Sequence, residues 1–592
     1  MAKAIYSNTP LALGDLLKDV RNGRIGLPDL QRPFVWKDAK VRDLFDSMIK
    51  GFPIGYILLW ESPSDYDEKK TTIGANEKSF HAPKDLVIDG QQRLTALVAS
   101  MYGITVKDKN YKNRRIRIAF KPLTKEFAVW TKAIDNSAEY IPDISQLFIA
   151  KEKSQSSAER RAFIKRLNES RVKQQKPELS DEEQDLIEER IIELLQLESY
   201  QMPTLEINRE SNEEDVADIF VRVNSAGQKL TENDFILTLV SVYEKERRDQ
   251  INEFCEASRI PADRTAYNHI MSIDPSHIIR MTVGVGFRRA RLRYAYMILR
   301  GKDLETGITS QTVRMKNMTI FKEALDKVLD LNNWHDYLNI LKSAGYISDK
   351  LIASTNAVVF SYVLYLIAKY DYGMKNQQLR KMIRRWFFMA TVTAFYTGST
   401  ETDVEKQFTD MRDIHDRDAL EGYIDRVIAS RFTDDYFNIQ LPIELETAAP
   451  ITPTWNCFIA SQIVLGHSML FGTTPIANVF GVGSSGTKAA LDRHHIFPKK
   501  YLFDQGIENN RDRNQIANFT YLDYQTNISV SDESPAVYVE YFRNQLSAAD
   551  FKKSCEQHAL PDGFETMEYF SFLKERRKLM AQLIREAFNR LN

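Results

Sequence analysis

Hydrophobic positions recur at helical spacing over most of this chain and at strand spacing in only a few places. Val41, Leu44, Phe45 and Met48 share one helical face, which predicts a helix over 40–50, and residues 11–20 carry a similar pattern. Tyr56 to Trp60, Leu86 to Ile88 and Arg115 to Phe120 are short apolar runs and predict strands, so the first part of the chain reads as α+β. Residues 61–84 are polar and read as a loop. Residues 151–200 are charged and helical, with a break near 173–176. Ser180 before Asp181, Glu182 and Glu183 reads as an N-cap with an acidic first turn. From about 240 to 435 the pattern is nearly all helical, rich in Leu, Ile, Tyr and Arg. Gln440 to Thr454 holds Pro442, Pro450 and Pro453 and interrupts that periodicity. Beyond it, Phe458 to Phe471 predicts a buried helix and Gly481 to Gly486 a loop. The last helix gathers Leu579, Met580, Leu583, Ile584, Ala587, Phe588 and Leu591 on one side. Such a face packs within its own domain, with a homodimer contact as the alternative. Three domains follow: 1–240, α+β; 241–440, mostly α-helical; and 455–592, α-rich.

Composition narrows the class. At 592 residues, 43% hydrophobic and 27% charged, the chain has the length for two to four domains with their own cores. Its three cysteines, Cys255, Cys457 and Cys555, form no Cys-x-x-Cys, which argues against a disulfide framework and a thiolate zinc knuckle and suits a reducing, cytoplasmic setting. There is no apolar run of membrane-spanning length and no apolar leader at the N-terminus. The net charge is −1, so any grip on nucleic acid depends on local clusters. Three stand out: Lys107 to Arg117, Phe287 to Tyr294, and Arg380 to Arg385 before Trp386. Each reads first as a solvated or ion-paired face, with at least one expected on DNA.

Candidate chemistry concentrates at two places. The first runs Asp492-Arg493-His494-His495-Ile496-Phe497-Pro498-Lys499, then Asn518 to Leu522, then Gln525 to Asn527. A histidine can serve as general base, an asparagine can hold its loop, and the flanking polar residues can hold one divalent ion. The segment resembles the HNH, or ββα-metal, nuclease family in its His-His-Ile-x-Pro form. The resemblance implies His495 as general base and Asn518 as the central asparagine that steadies its loop. It implies Asn527, nine residues after Asn518, as a metal ligand. His494 stands where many members carry a metal-binding Asp, and Asp492 is the competing ligand. Oxygen donors suit Mg²⁺, whereas imidazoles lean towards Mn²⁺ and later first-row ions. Arg493 and Lys499 are candidate contacts to the neighbouring phosphates.

The second place is Asp89-Gly90-Gln91-Gln92-Arg93, between a predicted strand and a predicted helix. A strand that turns through glycine into a helix N-terminus can receive an anion, and Arg93 adds a fork for phosphate. Asp-Gly-Gln-Gln-Arg-Leu-Thr resembles the signature of the N-terminal domain of GmrSD-type restriction proteins. Leu27 to Trp36, Ser47 to Gly55 and Ile219 to Thr231 resemble further elements of that family. The resemblance implies a ParB/sulfiredoxin-like fold and a site for GTP, ATP or CTP at Asp89, Gly90, Gln91, Gln92 and Arg93. Gln31 and Arg32 would face the same cleft, with Asn224 and Gly227 as weaker candidates. It also implies an anti-phage restriction enzyme that senses modified DNA, fused here to its HNH half. Two rival expectations stand beside it: a nucleotide-switched DNA-binding module with an inactive HNH segment, and an NTPase whose target is not DNA.

Overall fold

A computed structural model of the chain describes residues 5–26, 34–61, 84–108, 112–208, 211, 216, 219, 245–259, 267–291, 293–299, 301–304, 306–449, 451–481, 493–522 and 533–592. The chain divides into two compact units, Met1–Arg248 and Asp249–Asn592.

The first unit is a mixed α/β body. Its main elements are β1 (Tyr6–Asn8), α1 (Leu13–Arg21), β2 (Ile25–Gly26), α2 (Asp38–Ile49), β3 (Ile57–Glu61), β4 (Asp85–Asp89), α3 (Gln91–Tyr102), α4 (Ser156–Lys173), α5 (Asp181–Leu195) and β5 (Thr204–Ile207). The five strands form one sheet in the order β1-β5-β3-β4-β2. Strand β3 is central: it runs parallel to β5 (Thr204 opposite Ile57) and antiparallel to β4 (Leu59 opposite Val87). Its continuous apolar run follows from burial on both faces. Ile57 and Leu59 enter a large core with Leu13, Leu17, Val41, Phe45, Leu94 and Leu97 from the three helices. Leu58 and Trp60 point the other way, against Ile88, Ile207 and Val216. The capping box before α5 forms as its sequence predicts: Glu183 N–H donates to Ser180 Oγ at 3.2 Å and Ser180 N–H to Glu183 Oε2 at 3.0 Å. The strand expected over Arg115 to Phe120 is instead two. Asn113–Arg115 pairs with Thr105–Lys107, and Ile118–Lys121 pairs with Glu126–Val129. The chain changes partners at Arg117, whose guanidinium lies 3.4 Å from the centre of the Trp130 ring.

The second unit is largely helical. It contains α6 (Pro275–Phe287), α7 (Gln311–Leu329), α8 (Leu331–Ser343), α9 (Thr355–Tyr370), α10 (Asn376–Val392), α11 (Leu441–Glu444) and α12 (Pro453–Val464). A short two-stranded segment follows: β6 (Arg493–His495), α13 (Lys499–Asp504), α14 (Asn510–Arg513) and β7 (Phe519–Tyr521). The chain then runs through α15 (Pro535–Gln545) into the long α16 (Tyr569–Arg590). The interruption expected over Gln440 to Thr454 falls after Glu444: the π turn Tyr436–Gln440 runs directly into α11, which carries Pro442, and residues 445–449 and 451–452 are non-helical. Pro453 takes the first turn of α12, where a missing N–H costs nothing; Thr452 caps this helix, which ends at Val464, well before Phe471. The apolar face of α16 packs inside this unit: Phe588 meets Phe432 at 4.6 Å and Phe388 at 6.0 Å between ring centroids. Among the described residues, no helix is long and apolar enough to cross a membrane.

Asp85 opens β4 as a buried carboxylate. Burial first, opposed by Lys84 and assisted by Glu206 and Glu61, pushes its pKa up to about 6. The protonated fold is therefore favoured: the contribution is full below the ordinary carboxylate range and is lost as pH rises through about 6. Asp85→Asn should raise the unfolding free energy by ~1–2 kcal/mol at neutral pH and by little near about pH 4, read by urea titration at both.

Candidate active site

Strands β6 and β7 pair antiparallel, with His494 opposite Thr520 and His495 opposite Phe519. Two strands of three residues cannot hold themselves in water. Buried polar side chains from the flanking segments fix them. Asn518 is fully buried, and both ends of its amide are used. Its Oδ1 accepts from Phe497 N–H at 2.8 Å, and its Nδ2 donates to the carbonyls of Phe497 at 3.0 Å and Arg513 at 3.1 Å. The Asn518 carbonyl also accepts from Ile496 N–H at 2.8 Å. One side chain thus ties the loop after His495 to the segment that follows α14. From α15, the Tyr538 hydroxyl donates to the Ile496 carbonyl at 2.7 Å.

His495 is half-buried, with its ring edge-on to Phe519 at 4.7 Å and its Nε2 3.0 Å from Asn514 Oδ1. His494 is also half-buried and lies on the face of the ladder that carries Thr520. Beneath that face, Thr520 Oγ1 is 2.7 Å from Nδ1 of the buried His558, whose Nε2 is 2.9 Å from the Ser468 carbonyl. A carbonyl only accepts, so Nε2 carries the His558 proton and the Thr520 hydroxyl donates to Nδ1. Burial pulls the His558 pKa down to about 3, which keeps it neutral. Arg576 of α16, fully buried, donates to the carbonyls of Ala517 at 2.6 Å, Phe519 at 2.8 Å and His558 at 3.1 Å.

Arg493 pairs with Tyr521 in the ladder, and Lys499 and Lys500 are exposed at the start of α13. Asp492 and Asn527 lie outside the described residues. Among the described residues, no group of three His, Cys, Asp or Glu side chains is placed to hold a metal ion. The donor set read from the sequence is the Asn527 amide oxygen with either the His494 imidazole or the Asp492 carboxylate; the carboxylate suits Mg²⁺ and the imidazole leans towards Mn²⁺.

In the first unit, Gly90 makes the turn from β4 into α3 with φ +95°, a conformation L side chains rarely adopt. A Cβ there would also meet Ile57 Cδ1 at 2.3 Å. Arg93 Nη1 donates to the Tyr56 carbonyl at 2.5 Å, and Nη2 lies 3.9 Å from Asp89 Oδ2. Gly55 makes room for that guanidinium: a Cβ would stand 2.8 Å from Nη1. Gln91 Nε2 turns back to the Val87 carbonyl at 3.1 Å, and Gln92 Oε1 accepts from Val35 N–H at 3.1 Å. Burial raises the Asp89 pKa, against the pull of Arg93 and the Gly90 N–H. Asp89, Gly90 and Arg93 are therefore gathered at one strand end, whereas Gln91 and Gln92 reach into the surrounding backbone. Gln31, Arg32, Asn224 and Gly227 lie outside the described residues.

In each of the three basic clusters at least two cations are paired within their own unit. Arg114 pairs with Asp38 at 2.5 Å and Arg115 with Asp143 at 3.0 Å. Arg288 pairs with Asp371, and Arg289 with Glu405 at 3.7 Å. Arg380 pairs with Asp336, and Arg385 with Asp425 at 2.6 Å. Sequence reading missed Tyr56, Asn514, His558 and Arg576. None sits in a motif, and each acts across a gap in the chain that local pattern does not span.

Residues 13–241 match the family model of the GmrSD restriction endonuclease N-terminal domain. That span includes the turn at Asp89 and stops before the His495 segment. Over nearly its whole length the chain is similar to an uncharacterized protein of Methanocaldococcus jannaschii, with 24% identity over 605 residues, 97% of this chain and 95% of the relative.

Asn518→Ala would leave the Phe497 N–H and carbonyl buried without partners, at ~1–3 kcal/mol for each such group. We expect the second unit to lose ~2–4 kcal/mol and the amides of residues 496–497 to exchange with solvent far faster, read by thermal melting and hydrogen exchange.

Proposed function

We propose that this chain is a modification-dependent, type IV-like DNA restriction endonuclease of anti-phage defence. The first unit binds and hydrolyses a nucleoside triphosphate, and this gates nicking or cleavage of DNA by the His495 segment. The observation that carries the reading is the loop after His495, pinned by the amide of Asn518 at 2.8 and 3.0 Å to Phe497. A pinned half-buried imidazole at the end of a short ladder is what a positioned general base requires. The match of residues 13–241 to a restriction endonuclease family supports the same reading from the other unit.

Neutral His495 takes a proton from water, and the oxygen forms a bond to the scissile phosphorus. The bond to the 3′ oxygen breaks, and the leaving oxygen takes a proton from solvent. Asn518 acts through the loop and touches no reacting atom. Arg493 and Lys499 are suited to the flanking phosphates. Asn527, with His494 or Asp492, would hold one Mg²⁺ or Mn²⁺, which when bound supplies neutralisation of the charge that builds up on phosphorus and the leaving oxygen. One such site per chain nicks; a double-strand break takes two chains or two events.

At the other site, the first turn of α3 and Arg93 would take the phosphates of GTP, ATP or CTP. Gln31 and Arg32 complete the site in this reading. Arg93 is placed by its hydrogen bond to the Tyr56 carbonyl, with Asp89 3.9 Å away, and would turn its remaining N–H groups to the phosphates. Modified phage DNA is the partner that would shift this equilibrium.

The reading predicts a division of labour. His495→Ala should abolish cutting of modified DNA with Mg²⁺ or Mn²⁺ while nucleotide turnover persists. Arg93→Ala should lower turnover at least ~10-fold and leave the nuclease segment folded. Paired assays on unmodified and modified substrates, with and without each triphosphate, decide it. Turnover without any cutting would favour the switched binding module. Equal loss of both activities in both variants would end the assignment of roles.

A further inference from the structure

Asn514 follows α14 and contacts the His495 imidazole, and its amide can point only one way. Its Nδ2 donates to the Asn510 carbonyl at 2.8 Å and to Asn510 Oδ1 at 2.9 Å. A backbone carbonyl only accepts, so the amide nitrogen must face Asn510, and the amide oxygen must face His495. An amide oxygen also only accepts. The proton of the neutral imidazole therefore sits on Nε2, 3.0 Å from Asn514 Oδ1, and Nδ1 is the basic nitrogen.

The segment that presents Asn514 is itself held at several points. Asn509 caps α14 by accepting from Arg511 N–H at 2.9 Å. The Tyr569 hydroxyl donates to the Asp512 carbonyl at 2.8 Å, and Asn518 Nδ2 donates to the Arg513 carbonyl at 3.1 Å. The imidazole is thus fixed at Nε2 by an anchored amide and across its ring by Phe519 at 4.7 Å. We propose that Asn514 is a positioning residue that sets the tautomer and ring orientation of His495, so that Nδ1 faces the water to be deprotonated. Its effect on cutting rests on the nuclease reading above; its hold on the imidazole does not.

The test separates the two. Asn514→Leu keeps the bulk and removes the acceptor, Asn514→Asp keeps an acceptor, and Asn514→Ser withdraws it beyond reach should the leucine variant not fold. The full chain is assayed for single-turnover cleavage with Mn²⁺. In parallel, long-range ¹H–¹⁵N spectra of histidine-labelled protein, at a pH where the imidazole is neutral, report which nitrogen carries the proton; His495→Ala assigns the signal. In N514L or N514S we expect cleavage to slow ~10- to 100-fold at unchanged KM, and the His495 signal to pass from one Nε2–H tautomer to a mixture. N514D should recover most of the rate and the single tautomer. Cleavage at the parent rate in N514L, or a slowed rate with the tautomer unmoved, would overturn the proposal. Undiminished cutting by His495→Ala would instead overturn the nuclease reading, while the spectra still decide what Asn514 does.

Discussion

A buried guanidinium lies at the centre of the contacts that tie the His495 segment to the rest of its unit. Arg576 lies inside the protein and donates to the carbonyls of Ala517, Phe519 and His558. Removing a cation from water costs several kcal/mol, and only well-made, charge-assisted hydrogen bonds offset it. Here the acceptors are backbone carbonyls on both sides of Asn518, at the start of a strand three residues long. Such a strand has no stability of its own. Its position is inherited from α16, which packs its apolar face into the helices around Phe388 and Phe432. Burial pulls the pKa of Arg576 down, the signature of a cation held by dipoles in a dry place.

The other polar groups are arranged around that anchor and depend on it. His558 gives its carbonyl to Arg576 and its Nδ1 to Thr520, so it bridges α16 and the ladder. Asn518 sits between Ala517 and Phe519, whose carbonyls accept from Arg576, and its amide Nδ2 donates to the carbonyls of Phe497 and Arg513. A network of this kind is stable only when every member is satisfied. It also transmits rigidity, because each bond fixes the orientation of the next. The half-buried His495 imidazole is therefore placed by a chain of contacts that begins well over fifty residues away in sequence. That is the architecture a positioned base demands, since small errors in placement cost large factors in rate.

Much of the fold was legible in the sequence, because helical periodicity and capping are local. α1, α2, α5 and α16 lie close to where their apolar spacing puts them, and the Ser180 capping box forms as written. The errors have a common cause. Arg115 to Phe120 reads as one strand because it is a short apolar run, but pairing is decided by partners elsewhere, and the segment serves two hairpins. The interruption read over Gln440 to Thr454 is present but falls after Glu444, because the helical backbone continues through Pro442 from the π turn Tyr436–Gln440. For the candidate site, motif spacing pointed to His495 and Asn518, which the structure brings within two residues' reach of one another through Phe497. Arg576, His558 and Asn514 carried no such signal. Their roles come from tertiary neighbours, and an isolated Arg, His or Asn in a helical stretch has many uses.

The same distinction bears on charge. In sequence the basic clusters at Arg114, Arg288 and Arg380 read first as solvated or ion-paired faces, with at least one expected on DNA. In the fold Arg114, Arg288 and Arg380 pair with Asp38, Asp371 and Asp336, residues remote in sequence, which takes up part of each cluster's charge. Non-specific affinity for DNA grows with the number of phosphates that cations can neutralise. A net charge of −1 and clusters that are partly paired leave fewer cations for such contacts. Exposed Lys499 and Lys500 beside the His495 loop supply a few contacts where the chemistry would occur. On the proposed reading this is an advantage. A nuclease that holds any DNA tightly has no need of a recognition step, whereas one that holds it weakly cuts only where another interaction supplies the binding energy.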